Sequence, residues 1–189
     1  MTHVTHPTET RQRWPALLIA AVVVGALVSL ALGIYGRQHD PTHESITTFG
    51  FSTLTDMKVG LATIAAVLAC VQLVTALRIY GKLGRGSGSK AITITHRVSG
   101  VLAVLVTLPV AFHCLWSLGF QDYSTRVLAH SILGCAFYGA FVTKMLALKI
   151  KGLPGWVIPV LGGTVFAVLI GIAATSALWW YVTGHSTYG

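Results

Sequence analysis

Residues 14–35 read WPALLIAAVVVGALVSLALGIY, a run of 22 positions without one charged side chain. At 1.5 Å per residue, a helix of that length crosses the roughly 30 Å hydrocarbon core of a bilayer. Four more apolar runs follow, at about Met57–Tyr80, Ile92–Trp116, Arg126–Lys149 and Trp156–Tyr181. They are continuously apolar and do not alternate with period two, which favours helices over the strands of a barrel. The expected fold is an all-α membrane protein, a five-transmembrane helix bundle.

Composition agrees with this reading. The chain has 189 residues, of which 54% are hydrophobic and 10% charged, and its mean hydropathy is +0.74. Soluble domains carry about 25% charged residues, so a charged, water-facing surface is excluded. Arg11 and Arg13 precede the first run as in a signal peptide, but that run exceeds the roughly 7–15 residues of a signal h-region. The expectation is a retained span. The organisation is then a tail at 1–13, one membrane domain at 14–183 and a second tail at 184–189, without internal repeats. The turn Gly84–Ser89 lacks the GxxxxGK spacing of a phosphate loop.

The net charge of +8 lies almost wholly between the apolar runs, a pattern that points to anionic lipid and not to nucleic acid. One side of the bundle collects Arg11, Arg13, Arg78, Lys82, Arg85, Lys90, Arg97, Lys144, Lys149 and Lys151; the other holds Arg37, Lys58 and Arg126. The positive-inside rule therefore predicts a plasma-membrane protein with a cytoplasmic amino terminus and an external carboxyl terminus. The five tryptophans fall near span ends, where interfacial aromatics anchor helices. Cys70, Cys114 and Cys135 lie inside apolar segments and form neither CxxC nor CxxCH, so a disulfide scaffold and a covalent c-type haem lack support.

Chemistry enters with the histidines. Five of the eight lie in tails or in the outer loop; His96, His113 and His130 fall inside spans three and four, and an ionisable group at membrane depth is by default a functional hypothesis. The connection Ser117–Thr125 is short, so these spans are expected to be antiparallel neighbours. His113 and His130 then lie at similar depth near the outer boundary, placed to provide the two axial ligands of a b-type haem. A hydrogen-bonded pair, a proton relay or half of a metal site would use the same two residues. Gly134, one turn deeper than His130, leaves room for a porphyrin, and Arg126, one turn shallower, suits a propionate. Pro109, one turn before His113, is expected to bend its helix.

His96 and Gly100 repeat the spacing of His130 and Gly134, which raises a second haem near the cytoplasmic leaflet. No second histidine lies at that depth; the fourth span offers Lys144 instead. The expectation is one haem, with His96 and Lys144 as the alternative that would bring a second.

The stretches His96-Arg97-Val98-Ser99-Gly100, Pro109 to His113-Cys114, His130-Ser131 with Gly134, and Tyr138 to Lys144 resemble uncharacterised actinobacterial integral membrane proteins. More distantly they resemble the transmembrane cytochromes of the cytochrome b561 and ferric-reductase group. The resemblance covers about residues 90–150 and implies a four-helix haem-binding core with one added helix. It maps His113 and His130 onto one opposed ligand pair and His96 onto a single ligand of another, with Lys144 departing from the pattern.

The function expected is one-electron transfer by a haem b protein, with membrane quinol or a redox partner subunit of a respiratory complex. The chain is expected to act as an electron-transfer subunit, not as a self-contained oxidoreductase. A cofactor-free accessory subunit of a larger membrane complex is the alternative reading, followed by a small proton-coupled transporter.

Overall fold

A computed structural model describes residues 13–84 and 89–183. The two tails and most of the Gly84–Ser89 turn lie outside the described residues. Five helices are long and apolar enough to cross a membrane. They are α1 (Trp14–Gln38), α2 (Leu54–Ile79), α3 (Lys90–His113), α4 (Thr125–Ala147) and α5 (Val157–Ala173). Two of them run on through π-helical turns, α3 through Cys114–Leu118 and α5 through Ala174–Leu178 into a last helical piece, α6 (Trp179–Thr183). No strand occurs among the described residues. Every expected span is present, with ends displaced by a few residues.

Local chemistry sets several of these ends. Thr53, Ser89 and Ser124 cap α2, α3 and α4, each accepting a hydrogen bond from the backbone N–H three residues on. Gly81, at φ 67°, closes α2. Its N–H bonds to Arg78 O, and Lys82 N–H reaches back to Leu77 O at 2.8 Å, the paired bonds of a Schellman end.

The order of packing is not the order of the chain. α1 lies along α4, α4 along α5, α5 along α2, and α2 along α3. The expectation that α3 and α4 are packed neighbours is therefore corrected: they are consecutive but do not pack along each other. A cavity separates their outer halves, while at its inner end the Tyr138 hydroxyl bonds to Thr107 Oγ1 at 3.0 Å. Ala65, Ala69, Phe137 and Leu169 form the buried cluster where α2, α4 and α5 meet.

α1 meets α4 at backbone distance. A Cβ built on Gly25 would run into Thr143 Oγ1 and the Gly139 carbonyl, and one on Gly139 into Ser29 Oγ and the Gly25 carbonyl. Gly25 with Ser29 and Gly139 with Thr143 are small residues four apart, the spacing that lets helices approach closely where lipid removes the hydrophobic drive to associate.

The outer loop after α1 folds over the π turn that ends α3. Thr42 N–H and the His39 ring both donate to Trp116 O, at 3.3 and 3.2 Å, and His43 N–H donates to Ser117 O at 3.1 Å. Arg37 and Asp122 pair at 2.7 Å on the surface, with side chains 60% and 48% exposed. Exposed ion pairs contribute about 0–1 kcal/mol, so Asp122→Asn is expected to leave the unfolding midpoint in detergent within that range.

Candidate functional site

Between α2, α3, α4 and α5, in the half of the bundle that holds the start of α2 and of α4, lies a cavity of about 460 Å³. That volume lies in the range of cofactor and small-molecule sites. Its walls are mainly apolar, with Ala62 and Ala65 from α2, Val110 and Ala111 from α3, Phe137 from α4 and Leu169 from α5. A few polar groups converge at the outer end: Lys58, Arg126, His130 and Thr175.

His130 is half-buried on α4, and its Nδ1 lies 3.2 Å from Thr175 Oγ1. The Thr175 hydroxyl gives its own proton to the α5 carbonyls of Gly171 and Ile172, at 2.8 and 3.0 Å. Its oxygen therefore accepts from His130 Nδ1–H, which leaves Nε2 as the lone-pair nitrogen of the neutral ring. Histidines that bind metals are commonly held in this way by a partner on the far nitrogen.

Arg126 is fixed by the π turn of the fifth span. Arg126 Nη1 donates to the carbonyl of Thr175, within that turn, at 2.7 Å. The guanidinium also lies 3.7 Å from the centre of the Trp179 ring, a cation–π contact. Lys58 and Cys114 line the same cavity as His130. Among the described residues neither cation has a carboxylate partner, since the ion pair found there is Arg37–Asp122. Two cations without counter-ions at the edge of an apolar cavity favour a ligand with an apolar body and an anionic rim. Gly134 lines the same space, and a Cβ built on it meets nothing within 4 Å.

His113 is elsewhere. The expected pairing of His113 with His130 across one space is corrected, because the two imidazoles line different cavities. α3 turns Thr107, Val110, Ala111 and Cys114 toward the large cavity, and His113 lies about 120° round the helix from the middle of that face. Its ring is 1% exposed, Nδ1 is 2.8 Å from Pro109 O, and Nε2 is buried without a hydrogen-bond partner.

His96 lies toward the inner end of α3 in a polar cluster with α2. Its Nδ1 is 2.9 Å from Thr75 Oγ1, and Gln72 donates to the His96 carbonyl and to Ser99 Oγ. Gly100 makes room for Gln72, whose side chain would lie 3.1 Å from a Cβ there, so its spacing from His96 reflects helix packing. Lys144, on α4, is likewise away from the large cavity.

Of the expected residues, the cavity thus gathers His130, Arg126 and Gly134 and leaves out His113, His96 and Lys144. It adds Lys58, Cys114, Tyr138 and Thr175. Lys58 was legible as a basic residue just inside the second span; nothing in the sequence marks Thr175, because its role depends on how the fifth span packs against α4. Among the described residues no group of three or more histidine, cysteine or acidic side chains could hold a metal ion.

The five long apolar helices fit a multi-pass membrane protein, and between them lies a cation-rimmed cavity open to one imidazole. The chain belongs to a family of unknown function, DUF6529, matched over residues 18–188. No curated protein and no solved structure matches it.

Proposed function

We propose that this protein is a membrane b-type cytochrome that passes single electrons, holding haem b in the cavity between α2, α3, α4 and α5. The observation that carries the reading is His130, with its Nδ1–H held by Thr175 and its Nε2 lone pair left for a ligand, on the wall of an apolar space rimmed by Lys58 and Arg126. The likeness of residues 90–150 to cytochrome b561 and ferric-reductase helices belongs to this proposal.

The residues fit a flat apolar group with two carboxylates. His130 would hold the iron through its free ring nitrogen, with Thr175 fixing its tautomer and orientation. Lys58 and Arg126 would pair with the propionates. Gly134 leaves its stretch of wall open, and the apolar walls exclude water, which helps set the potential. When bound, haem supplies the one-electron redox chemistry that the side chains lack. The wall formed by α3 offers no imidazole, so His113 is not proposed as the second axial ligand. One haem per chain is proposed; His96 is engaged with Thr75 and has no second imidazole beside it. The charge distribution supports a plasma-membrane location with the amino terminus in the cytoplasm, and the electron partner is a membrane quinol or a redox subunit.

Pyridine haemochrome analysis of protein purified from haem-replete cells tests this directly. Protohaem at about one per chain is expected. Folded, monodisperse protein without haem would overturn the reading in favour of a cofactor-free accessory subunit.

A further inference from the structure

His113 poses a separate question, because a buried polar atom without a partner is rare and calls for an explanation. The Pro109 carbonyl can only accept, so the 2.8 Å contact requires a proton on Nδ1. Nε2 is therefore a hydrogen-bond acceptor, buried and unsatisfied. The ring borders a groove of about 290 Å³ between the outer loop and the outer end of α3, walled by Ile46, Thr47, Phe49, Leu108, Pro109 and Phe112. Phe49 and Ile46 on the loop, and Leu108 and Phe112 on the helix, are all exposed at its rim.

We propose that this groove binds the head of a membrane-dissolved hydroquinone, with one phenolic hydroxyl donating to His113 Nε2. The inference deepens the cytochrome reading, on which it rests for its role, by choosing the quinol over a redox subunit as electron donor and giving it a site. The chemistry of the groove selects the ligand. No lysine or arginine lines it, so an anion finds no counter-charge. Apart from His113 the walls offer only the Thr47 side chain, which accepts from Phe49 N–H at 3.2 Å, so a water there finds at most two polar side chains, the low end of what a buried water needs. An aromatic ring carrying a single strong donor satisfies both the apolar walls and the lone pair. Phe112 meets the His113 ring edge-on, with centroids 5.4 Å apart, and Phe112 or Phe49 turning aside would admit the hydroxyl. A hydrocarbon tail then leaves over Leu108 into lipid.

The test is calorimetric titration of the purified full chain in nanodiscs with a decyl-tailed benzohydroquinone, and with the dimethyl ether of the same molecule. Saturable binding of the hydroquinone is expected, weakened about tenfold in the ether, which keeps the shape and loses the donor. His113→Phe is expected to weaken hydroquinone binding to a similar degree and leave haem content unchanged. Equal affinity for hydroquinone and ether in the wild-type protein would overturn the proposal, whether or not the variant folds. Hydroquinone binding by protein that carries no haem would keep the groove and remove the cytochrome reading. Haem-loaded protein that ignores the hydroquinone would do the reverse.

Discussion

Gly139→Ala is expected to loosen α1 from the bundle, at a cost of about 1–3 kcal/mol, the usual range for overpacking a tight interface. The added methyl would run into the Gly25 carbonyl and Ser29 Oγ. A backbone carbonyl has no rotamer to move to, so the two helices must separate along their length. That separation weakens the bond from Thr143 Oγ1 to Ala21 O, which spans 3.4 Å, and the close contact on which association in lipid depends. Gly163→Ala is the matched control, because a Cβ there meets nothing within 4 Å and the change is expected to stay within about 0.5 kcal/mol. Thermal unfolding in detergent reads both. Equal midpoints for the two variants would mean that α1 does not lie against α4 at Gly139.

The second large effect concerns haem retention. His130→Ala removes the imidazole on the cavity wall, and purified protein is expected to carry almost no haem. Thr175→Val keeps that ligand but removes the oxygen that holds its tautomer; losses of about 10–100-fold in affinity are typical for such partners. Thr175→Ser retains the oxygen and is expected to restore binding. His113→Ala is expected to keep its haem, since that ring lines the outer groove and not the cavity. Haem-to-protein ratios across the four variants decide the matter. Haem lost from the His113 variant and kept in the His130 variant would refute the site.

These two predictions differ in how far the sequence reveals them. The five spans are legible because each is a long uncharged run, and burying so many unpaired backbone groups in hydrocarbon permits only helices. The shared face of His130, Arg126 and Gly134 is legible as well, since they recur at four-residue spacing on one helix and any straight helix brings them to one face. The close approach of Gly25 and Gly139 is not. Small residues are common in all five spans, and which pair meets depends on which helices are neighbours.

The same reason explains the error over His113. Its pairing with His130 assumed that consecutive helices pack together and that equal depth brings side chains face to face. Depth follows from rise per residue, but direction around the helix depends on where the neighbours lie, and α3 leans on α2. Thr175 was invisible for a related reason: it lies on the fifth span, and only the packing of that span against α4 brings its carbonyl to Arg126 and its hydroxyl to His130.

What the sequence by itself determined is therefore the helical class of the molecule, its five long apolar helices and the polar side chains that lie within them. These follow from transfer energies and helix periodicity, which act residue by residue. Tertiary structure alone decided that α1 joins α4, that α3 and α4 stand apart around a cavity, and that the two outer histidines face different spaces. Those outcomes depend on which helix surfaces fit one another, and lipid, equally apolar on every side, imposes no preference that a hydropathy pattern could record.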